Sequence, residues 1–143
     1  LHHVQDKLRT AGFSVPQVPL TWVKTRAAGR SMSPERTLGA LTQIAIYCYK
    51  GTPELATKGR GSIFAHPIVR TDRIHPAQMP ETLILELLNT FSSPGDLVLD
   101  TFAGSMSVLR GCFIAQRRYI GCEKSEVHYN AGVTYTWEWA KND

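Results

Sequence analysis

Cysteine is scarce in this sequence. Only Cys48, Cys112 and Cys122 occur among 143 residues, an odd number with no C-x-x-C pair. That excludes a disulfide scaffold and a zinc knuckle, and it points to a reducing, intracellular compartment. The five histidines add no metal-ligand spacing, so no metal site is expected. No apolar run approaches the roughly 18 residues that mark a membrane span. A basic start followed by an apolar stretch, the mark of a secretory leader, is also missing. The first residue is Leu1 rather than Met, and the expectation is a sequence that begins partway into a longer protein. What is present is ordinary for one globular domain: 43% hydrophobic and 20% charged residues. A disordered tail or a fibrous repeat does not have that balance.

Acids are also scarce, but only in the first half. Residues 1–73 carry eleven lysines and arginines against four acids, whereas residues 74–143 carry five against eight. A basic half beside an acidic half predicts a polyanion contact on the basic one. The candidate phosphate-gripping residues are Lys24, Arg26, Arg30, Arg36, Lys58 and Arg60, on the loops 24–36 and 50–61. The competing readings are a solvated basic surface, or a surface that docks an acidic protein.

Local signals divide the chain further. Val4, Leu8 and Ala11 have near-helical spacing, which predicts a helix over 2–11 that Gly12 ends. Residues 19–24 read as a strand, 25–37 as a basic loop, and 41–49 as a buried strand of β-branched and aromatic residues. A second basic loop covers 50–65, and a proline-marked connector covers 66–80. Pro80 is placed to start a helix whose face is Ile84, Leu87, Leu88 and Phe91. After a turn at 92–96, Leu97-Val98-Leu99 is a wholly apolar run, predicted to be a strand buried on both faces. It ends at Asp100. A small-residue loop at 101–105, a helix to about Gln116, a strand at 118–122 ending at Glu123, and a last helix over 125–140 complete the chain. The strands near 20–24 and 43–49 are too short to stand apart, and are expected in the same sheet as 97–99.

Strand, loop, helix and strand within about 30 residues make a βαβ unit with parallel strands. Such units bind ligands outside the carboxyl ends of their strands, where Asp100, the loop 101–105 and Glu123 converge. Gly104 lets a ligand approach the backbone, and the following helix offers free N–H groups to a negative group. Glu123 follows Asp100 at about the spacing at which an acid meets ribose hydroxyls. Each residue has a plainer role open to it: Asp100 as a helix cap, Gly104 as a turn glycine, Glu123 as a solvated strand-end acid or a cap. The loop lacks the G-x-G-x-x-G fingerprint, which disfavours a dinucleotide.

His75-Pro76-Ala77-Gln78-Met79-Pro80, a leucine-rich helix, then Pro94-Gly95-Asp96-Leu97-Val98-Leu99-Asp100-Thr101-Phe102-Ala103-Gly104-Ser105, then Arg118-Tyr119-Ile120-Gly121-Cys122-Glu123, resembles the C-terminal half of the DNA amino-methyltransferases. These enzymes methylate adenine N6 or cytosine N4 with S-adenosylmethionine. The likeness is to their permuted branch, with pattern H-P-T-Q-K-P, helix, G-D-x-V-L-D-P-F-x-G-S-G-T, helix, R-x-I-G-x-E. Gly12-Phe13, Leu20-Thr21-Trp22-Val23-Lys24 and Ala45-Ile46-Tyr47-Cys48-Tyr49-Lys50-Gly51 extend it more weakly into the first half.

The resemblance implies a Rossmann-like α/β methyltransferase fold, incomplete at its N-terminus. It implies one domain with a basic half at 1–66 and a cofactor-binding half at 67–143. Asp100, Phe102, Gly104 and Ser105 fall on the loop that holds the cofactor's methionine part. Glu123 falls on the ribose-binding acid, and His75 and Pro76 on the segment that closes over the methionine end. The departures from the pattern include Thr101 for proline, Met106 for the second loop glycine, Ser107 for threonine, and Met79 for lysine. A methionine at 106 either crowds the cofactor or turns into the core. The D/N/S-P-P-Y/F/W motif that binds the target amine is not in the chain, since none of the eight prolines is adjacent to another. The expected function is therefore the cofactor-binding part of a DNA methyltransferase, with DNA as partner and a missing segment or partner protein completing the fold. The alternatives are a catalytically inactive methyltransferase-like scaffold and an unrelated Rossmann-like nucleotide binder.

Overall fold

A computed structural model describes residues 1–25, 35–71 and 73–142. The chain divides into two compact units, Leu1–Pro67 and Ile68–Asp143.

The first unit opens with helix α1 (His2–Thr10). Its end follows from Gly12, whose φ of 81° no β-carbon opposes. The Phe13 and Gly12 N–H groups then donate to the Leu8 and Arg9 carbonyls, closing the last turn. Strand β1 (Leu20–Thr25) runs between β2 (Thr42–Ala45), antiparallel to it, and β3 (Ile63–Pro67), parallel to it. Two expectations are corrected here. The strand read over 41–49 is only Thr42–Ala45, and all four residues are exposed rather than buried. Beyond it Tyr49 makes a lone bridge to Ser14. The segment 50–65, read as loop throughout, ends in β3, whose Phe64 is fully buried. The β1 ladder is what makes 63–67 a strand, a non-local cause that composition does not carry.

The second unit holds α2 (Glu81–Phe91), β4 (Leu97–Asp100), α3 (Ser107–Ile114), β5 (Arg118–Gly121) and α4 (Glu126–Asn142). Strands β4 and β5 are parallel, with Leu99 opposite Ile120, as the βαβ reading predicts. They form their own two-stranded sheet, so the expectation of one sheet shared with the strands near 20–24 and 43–49 is not met. The physical reason is pairing: β1 fills both its edges from β2 and β3.

The core is built from Ile84 and Leu88 of α2 against Cys112 of α3, with Val98 and Tyr119 packed on it. The two helices cross at Gly111, where a β-carbon would lie 2.5 Å from Ile84 Cγ2. Helix α3 ends at Ile114, and beyond it Gln116 is left-handed at φ 59°, with the Arg117 N–H donating to the Cys112 carbonyl at 2.8 Å. That return aims the chain straight into β5. Strand β4 is not buried on both faces as predicted: Val98 packs inward, while Leu97 and Leu99 are 53% and 67% exposed.

Candidate functional site

The carboxyl ends of β4 and β5 open onto a cavity of about 340 Å³ in the second unit, lined by His75, Ala77, Met79, Asp100, the loop from Phe102 to Ser105, Ser107, Val108 and Glu123. Every candidate cofactor residue except Pro76 is in this lining. The Pro76 carbonyl is engaged instead by the Arg73 guanidinium. Phe102 stands at the edge, 88% exposed.

The loop takes its shape from its neighbours. Asp100 Oδ1 accepts the Phe102 N–H at 3.1 Å, and Oδ2 accepts the Tyr119 hydroxyl at 3.4 Å. Asp100 thus folds its own loop rather than capping α3. The Ala103 N–H donates to the Cys122 carbonyl at 3.0 Å, stitching the loop to the end of β5. Burial, and then the charge of Asp100, push the Tyr119 phenol well above its ordinary range, so it donates to that carboxylate as a neutral hydroxyl.

Glu123 crosses from one strand end to the other loop. Its Oε2 accepts the Gly104 N–H at 2.8 Å, and its Oε1 accepts the Ser125 N–H at 2.9 Å. Those two backbone donors, first Ser125 and then Gly104, hold its carboxyl below the usual range, helped by nearby His128 and His75. Each oxygen keeps a further lone pair for a ligand hydroxyl. The cap for α4 is Ser125 itself, whose hydroxyl accepts the His128 N–H at 3.3 Å. Glu123 is thus left as a charged group on the cavity wall.

His75 lies over Gly104, where a β-carbon would sit 3.6 Å from its ring and where φ is +50°. Its Nδ1 accepts the Ala77 N–H at 3.1 Å. His128, at the start of α4, meets the His75 ring edge-on with centroids 4.5 Å apart.

Met106, the residue in place of the second loop glycine, is left-handed at φ 56° and 5% exposed. Its side chain turns away from the cavity, so that a β-carbon on Gly132 of α4 would lie 3.0 Å from Met106 Cγ. A glycine in this conformation is free of strain, whereas methionine carries roughly 1–2 kcal/mol of it and offsets that by burial. Met106 is therefore absent from this cavity's lining, but with Ala103 and Glu123 it lines a second hollow of about 250 Å³; Met79 and Ser107, two further departures, do line the first cavity, and Met79 also packs on the core.

Sequence reasoning missed two residues, His128 and Arg110. Arg110 is 4% exposed, donates from Nη1 to the Ser105 carbonyl at 2.9 Å, and so fastens the loop from behind. Its signal in the sequence was available: it is the one charged residue in the helix SVLRGCFI.

The candidate phosphate-gripping residues belong to the first unit. Lys24 lies over the Trp22 ring at 5.3 Å, and Lys58 pairs with Glu54 at 2.8 Å. Arg60 stacks 4.1 Å from the Phe64 ring centre and donates to the Ile63 carbonyl at 3.0 Å. Arg36 is exposed, and Arg26 and Arg30 lie outside the described residues.

Comparison with known proteins matches residues 22–134 to a family profile described as DNA methylase, of the N6/N4 type. YubD of Escherichia coli (strain K12), a protein named as a methylase, is 33% identical over 124 residues, which is 87% of this chain and 52% of that protein. The DNA adenine methyltransferase YhdJ of the same organism is 37% identical over 59 residues, 41% of this chain and 20% of that protein. The chain thus spans about half the length of the first of these relatives and a fifth of the second. Among solved structures, M1.HpyAVI in complex with SAM superposes with a TM-score of 0.78 at 21% identity, over 94% of this chain and 68% of that one. The cytosine-N4-specific PvuII DNA methyltransferase gives 0.77 at 14% identity, over 92% and 54%. At these identities the likeness is one of fold, and the fold is the Rossmann-like one of DNA methyltransferases.

Proposed function

Since the chain belongs to the N6/N4 DNA methylase family, we propose that it supplies the S-adenosylmethionine-binding part of a DNA amino-methyltransferase. The observation that carries this reading is the Glu123 carboxylate. It is held ionised by Gly104 and Ser125 on the wall of a cavity that also contains Asp100, Ser105 and His75. Glu123 would accept the ribose hydroxyls. Gly104, Ser105 and the open end of α3 would hold the methionine part, with His75 above them. When bound, S-adenosylmethionine supplies a methyl group activated on a sulfonium. The cavity fits it in sign as well as position, because Asp100 and Glu123 bring two carboxylates to a cationic ligand.

The group that accepts the target amine is not among these residues, since the chain has no adjacent prolines. Methyl transfer to adenine N6 or cytosine N4 therefore needs a D-P-P-Y-type segment in addition to this chain. The basic residues Lys24, Arg26, Arg30, Arg36, Lys58 and Arg60 are assigned to DNA phosphates in the same reading, and an intracellular setting goes with it. The second reading, a non-catalytic scaffold of the same fold, is favoured by that missing segment and opposed by the ionised Glu123 carboxylate kept on the cavity wall.

Calorimetry tests the proposal. The 143-residue chain is expected to bind S-adenosylmethionine. Glu123→Ala is expected to bind it measurably more weakly, because a charge-assisted hydrogen bond to the ribose is lost. Equal affinity in the two proteins contradicts the assignment, and no binding by the wild type moves the reading to the scaffold.

A further inference from the structure

The loop that floors the cavity rests on a buried cation. Arg110 sits in the middle of α3 at 4% exposure. Its Nη1 donates to the Ser105 carbonyl at 2.9 Å and to Thr136 Oγ1 at 3.2 Å, its Nη2 reaches Ser107 Oγ at 3.4 Å, and its guanidinium lies 4.6 Å from the Tyr135 ring centre. All these partners are neutral. Among the described residues no carboxylate forms an ion pair with it, and Glu81 acts on it only through space. Burial lowers its pKa, but a guanidinium at neutral pH stays charged.

A guanidinium is costly to bury unless something compensates its charge. A neutral side chain would fill the same space without that cost. Ser105 and Ser107, the two residues Arg110 holds, both line the cavity. The charge is therefore one hydrogen bond behind the wall, in surroundings of low dielectric where it acts further than it would in water. The N-terminus of α3 adds a partial charge of the same sign in the same place. Asp100 and Glu123 bring negative charge to the cavity wall, so the cavity carries both signs.

We propose that Arg110 makes this site selective for a ligand bearing a carboxylate, by compensating that anion where the ligand meets Ser105 and Ser107. Arg110 is a positioning and specificity residue rather than a catalytic one. The inference rests on the S-adenosylmethionine reading and deepens it: the group recognised is the carboxylate of the cofactor's amino-acid end.

The test compares S-adenosylmethionine with its decarboxylated analogue, which keeps the sulfonium and the ammonium, by calorimetry on the full chain. The wild type is expected to prefer the carboxylated compound by on the order of tenfold. Arg110→Met is expected to lose that preference through weaker binding of S-adenosylmethionine, with the analogue unchanged or tighter. Arg110→Lys, which keeps the charge without the planar fork, is expected to retain it. A purely structural clamp predicts that Arg110→Met weakens both compounds by the same factor, and that result overturns the inference. If Arg110→Met does not fold, Arg110→Lys decides: a folded lysine protein that binds both compounds equally also overturns it. A wild type that binds neither compound refutes the cofactor reading itself. A wild type that binds both equally refutes the inference alone.

Discussion

The two units hold their charged residues in opposite ways. In the second, Asp100 and Glu123 accept backbone N–H groups from the loop they serve, and Arg110 donates to that loop from beneath. In the first, Lys58 pairs with exposed Glu54 four residues away, and Arg60 lies beside the start of β3 and over the Phe64 ring. The packing differs too. Among the described residues, of the buried hydrophobic side chains Phe64 alone is in the first unit, whereas Leu83, Ile84, Leu88, Ala103, Met106 and Cys112 are in the second. The contrast teaches that the second unit presets one geometry before a ligand arrives. The first unit displays charge on elements with little core beneath them. A small ligand with fixed stereochemistry suits the former, and a long polyanion contacted at many points suits the latter.

The largest expected effect tests the packing side of that contrast. Ile84→Ala removes a side chain that is 3% exposed between α2 and α3, and should destabilise the protein by about 2–5 kcal/mol. Ile44→Ala, on the wholly exposed β2, should stay within about 0.5 kcal/mol of wild type. Urea titrations of both proteins measure this. Equal losses would mean that the two units are packed alike.

A smaller effect tests the charge side. If the first unit meets DNA phosphates, binding should weaken with salt at a log–log slope of about −0.9 per phosphate neutralised. Replacing Arg26, Arg30 and Arg60 together by alanine should flatten the slope by about 2 to 3 units. An unaltered slope in fluorescence anisotropy would give these cations another task, such as docking an acidic protein.

The smallest effect concerns pH. The folded protein holds the Glu123 carboxyl below its ordinary value of 4.5, through the Ser125 and Gly104 N–H groups. The sign follows from linkage: the stabilisation is complete above the unfolded value and is lost as pH falls through the lower folded one. The carboxyl ¹³C shift of Glu123 should therefore titrate with a midpoint below 4.5. A midpoint at or above that value would show that the two N–H bonds are not made.

The sequence was most legible where causes are local. Leu97-Val98-Leu99-Asp100, the turn before it, and the glycine and acid after it specify the βαβ unit within a stretch of about 30 residues. Strand β4 and the cavity residues Asp100, Gly104 and Glu123 stand where that reading places them. What escaped depends on distant partners. Residues 63–67 become a strand only by pairing with β1, and the apolar stretch after Ala45 leaves the ladder because β1 offers no further partner there. The exposure of Leu97 and Leu99 was hidden for the same reason, since apolar composition does not reveal whether a second face is covered. Arg110 and His128 reach the site through helices that return to it, and no local motif marks such a return.

If the cavity at the ends of β4 and β5 takes the cofactor, its own amides report the binding. An amide ¹H–¹⁵N titration of the 143-residue chain with S-adenosylmethionine tests it most directly. The Gly104 and Ser125 amides, both bonded to Glu123, should move together with Ser105 in one saturating transition, while amides of β1 such as Trp22 stay in place. Saturable shifts centred on the first unit, with Gly104, Ser105 and Ser125 unmoved, would contradict it.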